Sequence, residues 1–97
     1  MSVTAAQGFV AAGRAAGLKE SGRPDLAVVR NLGPDQHAAV VLTRNRVQAA
    51  PVQWTREVCD GSLSAVVVNS GGANACTGAP GYDDAVRMAE LTARAFE

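Results

Sequence analysis

Three groups of residues in this sequence have the types needed for chemistry: an Asn- and Gly-rich run, two cysteines with one histidine, and a scatter of arginines. The run reads Asn69-Ser70-Gly71-Gly72-Ala73-Asn74-Ala75-Cys76-Thr77-Gly78. It leaves an apolar stretch, Leu63-Ser64-Ala65-Val66-Val67-Val68, and leads toward a helical pattern. A loop so placed can turn backbone N–H groups toward an anion. It is not a Walker loop, because no Gly-Lys-Ser/Thr end is present. Nor do Gly71, Gly72 and Gly78 give the G-x-G-x-x-G dinucleotide pattern. On spacing alone the simpler reading is a tight turn, with Asn69 and Asn74 bonding their own backbone and glycines taking positive φ. Thr77-Gly78 reads as helix capping in preference to an oxyanion pair.

Cys76 and His37 are the residue types of a thiol nucleophile and its base. Nothing in the sequence orients His37, and a buried structural cysteine is the commoner outcome. Cys59, Cys76 and His37 lack a fourth donor for a zinc set. Arg30, Arg44, Arg46 and Arg56 are spread over several elements and read as solvated surface charge. Trp54 falls among Val47, Ala50 and Val58 at helical spacing, so packing accounts for it better than ligand stacking does. No metal and no cofactor is expected.

The 97 residues suit one small domain, or part of a larger one. Apolar types make up 47% but aromatics only 4%, so Ala and Val dominate the candidate core. Small side chains bury little area, at ~25 cal/mol per Å². The core should therefore be thin and should gain from packing against more protein. Nine basic residues balance nine acidic ones, which argues against the positive field that nucleic-acid binding requires. No apolar stretch is long enough to span a bilayer, and Met1-Ser2-Val3-Thr4 does not open a secretory signal. Two cysteines are too few for a disulfide framework, and a cytoplasmic location is expected.

The local pattern predicts an α/β chain. A strand is expected over 8–18, where Phe9, Ala11, Gly13, Ala15 and Gly17 share one face. Turn formers over 20–25 lead to a second strand at Leu26-Ala27-Val28-Val29. Asn31-Leu32-Gly33-Pro34-Asp35 is another turn. His37-Ala38-Ala39-Val40-Val41-Leu42-Thr43 predicts a third, doubly buried strand, completing an antiparallel meander over 8–44. Val47, Ala50, Trp54 and Val58 mark a helix, with Pro51 in its first turn and Gly61 beyond its end. A short buried strand over 63–68 and the 69–78 loop follow. A final helix runs from Tyr82, with Tyr82, Ala85, Ala89, Ala93 and Phe96 on one stripe and Asp83 and Asp84 near its positive end. It reaches Glu97 without a stop signal, so the chain reads as a single incomplete domain over 1–97.

Taken in order, several stretches resemble one family, the bifunctional glutamate N-acetyltransferases (ornithine acetyltransferases) of arginine biosynthesis. They are Val3-Thr4-Ala5-Ala6-Gln7-Gly8-Phe9, Ala12-Gly13, Gly17-Leu18-Lys19 and Pro24-Asp25-Leu26-Ala27. Val41-Leu42-Thr43-Arg44-Asn45, Val47, Ala49-Ala50-Pro51-Val52 and the run from Ala65 to Gly78 complete the set. The Asn-Ser-Gly-Gly-Ala-Asn-Ala-Cys-Thr-Gly run is the specific part.

The resemblance implies a precursor that cleaves itself into an α and a β chain, assembled as a heterotetramer. It implies an α/β layered sandwich of the self-processing N-terminal-nucleophile type. The new N-terminal threonine of the β chain would carry acetyl from N-acetylornithine to glutamate, and acetyl-coenzyme A is a donor in some members. The implied partners of this chain are the rest of the α chain, the β chain and those small substrates, with no nucleic acid and no membrane. In the family, the oxyanion Thr-Gly motif, the substrate-gripping lysine and the nucleophilic threonine lie beyond the position of Glu97. No catalytic residue is therefore assigned here, and 1–97 alone should be inactive. Asn69, Gly71, Gly72, Asn74, Thr77 and Gly78 are the candidates for a loop that walls the site. The competing class is a non-catalytic binding or assembly module without the catalytic remainder.

Overall fold

The computed structural model describes residues 2–96. In chain order the elements are β1 (Phe9–Arg14), β2 (Leu26–Asn31), α1 (Ala50–Val58), β3 (Ala65–Asn69) and α2 (Gly78–Ala95). Strands and helices mix along the chain, as an α/β reading requires. They form two compact units, Met1–Ala38 with Gly61–Gly72 and Ala39–Asp60 with Ala73–Glu97.

The first unit is an antiparallel sheet of order β1-β2-β3. Ala12 lies opposite Val28, and Val28 opposite Val67, so these three share a face. Ala11, Val29 and Val66 share the other. The central strand is the best covered, while Val10, Val66 and Val68 stay exposed. The turn after β2 is built on Asn31, whose Oδ1 accepts the Gly33 N–H at 2.8 Å and whose Nδ2 donates to the Asp35 carbonyl at 3.1 Å. This is the self-bonding that makes Asn a turn former.

Three expectations for this unit are corrected. The strand expected over 8–18 ends at Arg14, because the N–H groups of Ala16, Leu18 and Lys19 turn to a carboxylate and leave the sheet ladder. The third strand of the meander is not the 37–43 run. Both edges of β2 are taken by β1 and β3, so that run has no central strand to join. Only His37 makes a bridge, to Ser62, and Val41 is 97% exposed where burial on both faces was expected. β3 is likewise covered on one face only, its residues alternating between half-buried and exposed.

The second unit pairs α1 with α2. Ala50 is 6% exposed and Ala85 5%, the two buried apolar side chains among the described residues. The thin core that the composition implies is what forms. Pro51 lies in the first turn of α1, where its absent N–H costs nothing. The segment before α1 is tied to it: Gln53 Nε2 donates to the Gln48 carbonyl at 2.8 Å, and Gln48 Nε2 to the Thr43 carbonyl at 3.1 Å. Arg56 donates to the Gln48 side chain.

α2 starts at Gly78, a full turn before the expected Tyr82. Pro80 and Gly81, which look like loop punctuation, sit inside its first turn. Asp83 and Asp84 consequently lie in the second turn, and the first turn holds no acid. The covered residues are Gly81, Tyr82, Ala85, Val86, Met88, Ala89, Thr92 and Phe96, so of the expected stripe only Ala93 is exposed. No helix among the described residues is long and apolar enough to cross a membrane.

Candidate functional site

The 69–78 loop belongs half to each unit. Its first half follows β3, and Asn69, the last strand residue, lies opposite Leu26. The next residue, Ser70, donates its N–H to the carbonyl of Asp25 at 2.9 Å. Gly71 then takes φ +95, a left-handed conformation that favours glycine. It also passes close to the 18–19 backbone: a Cβ on Gly71 would lie 2.9 Å from Lys19 Cγ and 3.4 Å from the Leu18 carbonyl atoms. Gly72 packs beside the Leu18 side chain.

The 18–19 backbone is itself held by Asp25. That side chain is 5% exposed, the one buried polar residue among those described. Its Oδ1 accepts the Ala16 N–H at 2.6 Å, and its Oδ2 accepts those of Leu18 and Lys19 at 2.7 and 3.0 Å. Hydrogen bonds to an ionised acceptor are short and strong. The Ala16 N–H foremost, then that of Lys19, holds the carboxyl below its ordinary range against the opposing effect of burial.

In the second half of the loop, Asn74 is the organiser. Its carbonyl accepts the Ala50 N–H at 2.9 Å, fixing the loop to the start of α1. Its Nδ2 donates to the Gly81 carbonyl at 2.7 Å, and its Oδ1 accepts the Thr77 hydroxyl. Thr77 occupies the N-cap position, yet its hydroxyl serves Asn74 and caps no N–H. Gly81 closes the arrangement, because a Cβ there would overlap the Thr77 side chain and Asn74 Oδ1.

Thr77 and Gly78 line a cavity of about 230 Å³ together with Cys76, Arg46, Gln48 and Tyr82. Arg46 and the first residue of α2, Gly78, are among the residues that line it. Tyr82 donates its hydroxyl to Glu57, and that bond, followed by burial and the Glu57 charge, raises the phenol above its ordinary value. The raised value means that the bond stabilises the fold fully below the ordinary tyrosine pKa of ~10 and that this is lost as pH rises through the folded value. Tyr82 is the sole tyrosine of the chain, so phenolate absorbance reads it directly. Glu57→Gln should move its titration midpoint back toward the ordinary value, and an unmoved midpoint would contradict the bond.

The expected loop residues are thus divided. Asn69, Gly71 and Gly72 lie in the first unit, beside Leu18 and Asp25; Asn74, Thr77 and Gly78 lie in the second, around the start of α2. His37 belongs to the first unit and Cys76 to the second, and both cysteines are free thiols. No group of three His, Cys, Asp or Glu residues able to hold a metal ion occurs among the described residues. Within each unit the loop residues are held by hydrogen bonds from N–H donors and by close contacts at glycine. Asp25 and Gly81 are the members that the sequence did not single out. The one signal for Asp25 is an acid directly after Pro24 at the mouth of an apolar strand; Gly81 has none, since Pro80-Gly81 has the look of a turn.

The sequence model of the ArgJ family matches residues 10–97. The chain is 62% identical over 97 residues to the arginine biosynthesis bifunctional protein ArgJ of Thermobifida fusca, covering 99% of this chain and 25% of that protein. It is 59% identical to the protein of the same name from Streptomyces avermitilis, covering 100% and 26%. Among solved structures it is similar to the ornithine acetyltransferase of Mycobacterium tuberculosis complexed with ornithine, at 61% identity and a TM-score of 0.83, over 86% of this chain and 44% of that one. It is also similar to the arginine biosynthesis bifunctional protein argJ of Bacillus halodurans, at 46% identity and a TM-score of 0.90, over 99% and 50%. The chain spans about a quarter of the length of the curated relatives it matches. A family model matched over nearly the whole chain, joined to close structural likeness at high identity, leads to one statement: this chain belongs to the ArgJ family.

Proposed function

We propose that the protein carrying this chain transfers acetyl from N-acetylornithine to glutamate, and that residues 1–97 supply scaffold and one wall of the site without a catalytic side chain. The observation that carries the reading is the 61% identity and 0.83 TM-score to an ornithine acetyltransferase with ornithine bound. On this reading the chain is part of a larger α/β layered sandwich of the N-terminal-nucleophile type, cytoplasmic, completed by the rest of an α chain and by a β chain. The reaction runs in two halves. The hydroxyl of the β chain's N-terminal threonine attacks the acetyl carbonyl; the C–N bond breaks, ornithine leaves with the proton on its amine, and an acetyl ester remains. The amine of glutamate then attacks the ester, forming N-acetylglutamate and restoring the hydroxyl. The threonine's own α-amino group, with an ordinary pKa of ~7.7–8.0, serves as base. Acetyl-coenzyme A is a second donor to test.

The test is to incubate the full-length protein with N-acetylornithine and glutamate. Expected are N-acetylglutamate and ornithine in equal amounts and the parallel double-reciprocal plots of a ping-pong scheme, with no transfer by 1–97 alone. No transfer by the full-length protein would overturn the proposal, and transfer by 1–97 alone would overturn the role given to this segment.

Within the segment, Asn69, Gly71, Gly72, Asn74, Thr77 and Gly78 are the proposed wall. Asn74 joins α1, Thr77 and the first turn of α2. Asn74→Ala should cost ~1–2 kcal/mol of stability, as expected for two lost hydrogen bonds. In the full-length protein it should lower kcat or self-cleavage by a larger factor than it lowers the folded fraction. Unchanged kinetics and processing would reject the role.

A further inference from the structure

We propose that Asp25 is a positioning residue for the transfer reaction: by holding the 16–19 backbone it fixes the surface on which the Gly71 turn of the site-wall loop is seated. The inference rests on the functional reading above and adds a residue on which that reading is silent.

Asp25 touches the loop in two ways. Directly, its carbonyl accepts the Ser70 N–H. Indirectly, its two carboxylate oxygens fix Ala16, Leu18 and Lys19, and the Leu18 carbonyl and Lys19 Cγ are the atoms that face Gly71. Its own N–H donates to the Arg14 carbonyl at 3.0 Å, so the residue is anchored to the end of β1. Every polar group of Asp25 named here is used to join β1, the 16–19 segment and the residue after β3. A buried carboxylate with three N–H donors is more than the β1–β2 connection needs, because ordinary turns close with backbone bonds alone. Gly71 is required from the other side: its φ is left-handed and the space above it is filled. The two residues thus act on one contact from opposite sides.

Steady-state acetyl transfer by the full-length protein tests this in a double-mutant cycle of Asp25→Asn and Gly71→Ala. Each variant should lower kcat by about tenfold to a hundredfold, the scale of a small misplacement of a site wall, with KM for N-acetylornithine within about twofold. The double variant should be little worse than the more damaging single one, because the two changes disturb the same contact. Losses that multiply, or a lowered melting temperature with unchanged kcat, would overturn the inference. If Asp25→Asn does not fold, Gly71→Ala carries the test: a fall in kcat at unchanged KM supports the inference, and an unchanged kcat overturns it. An inactive unaltered protein would instead bring down the functional reading, and this inference with it.

Discussion

Gly81→Ala should be among the most damaging single substitutions in the second unit, although it adds one methyl group. The methyl would overlap the Thr77 side chain and Asn74 Oδ1, and neither can yield freely. Thr77 is bonded to Asn74, and Asn74 is bonded at the same time to the Gly81 carbonyl and, through its own carbonyl, to the Ala50 N–H. Relief therefore means opening the first turn of α2 or releasing the loop from α1. Overpacking of this kind typically costs ~1–3 kcal/mol, and each net hydrogen bond lost adds ~1 kcal/mol. Thermal unfolding of the full-length protein should show the lowered stability. Thr77→Ser in the Gly81→Ala background should recover little, because the Thr77 Cβ itself is in the way. A Gly81→Ala protein as stable as the parent would contradict the described packing.

The second large effect is expected at Asp25. Asp25→Ala leaves the N–H groups of Ala16, Leu18 and Lys19 without their acceptor. Asp25→Asn should be milder than Asp25→Ala, since one oxygen still accepts, but its NH2 faces the N–H donors that the other carboxylate oxygen served. The pH dependence follows from the lowered carboxyl pKa. A carboxylate whose folded pKa lies below its unfolded value stabilises fully above the unfolded value of ~3.9 and loses that contribution as pH falls through the folded one. The parent's melting temperature should therefore carry an acid-side fall that begins near the ordinary aspartate pKa, and Asp25→Asn should flatten that part of the profile. Identical acid limbs in parent and variant would show that the carboxylate charge does not hold the 16–19 segment.

Much of the fold is legible in the residues. Asn31 and its neighbours announce a turn, Leu26 to Val29 a strand, and Pro51 with Ala50 and Trp54 a helix, because each signal is local; of the expected helical stripe, Val47 lies outside α1 and both it and Val58 are exposed. The failures have one physical source. The apolar 37–43 run has strand composition, but a strand also needs a free edge to pair with, and β3, about forty positions beyond β2 along the chain, takes the second edge of β2. β1 stops early because of an acid eleven residues beyond Arg14. α2 begins early because Pro80 fits a first turn and the Asn74 side chain ties down Gly81, neither of which apolar periodicity reports.

The same distinction applies to the site. The 69–78 loop stands out by its residues, and the family match agrees with the resemblance that those residues carry. What holds the loop does not stand out: a carboxylate forty-odd positions upstream governs its first half, and a glycine three positions downstream its second. Such contacts depend on folded proximity and leave no periodic trace.

A structure of the full-length protein with ornithine bound tests the central claim most directly. The 69–78 loop should stand in the wall of the ornithine pocket, with Ser70 still bonded to Asp25 and Asn74 still holding Gly81. A loop on a face remote from the bound ornithine would contradict it.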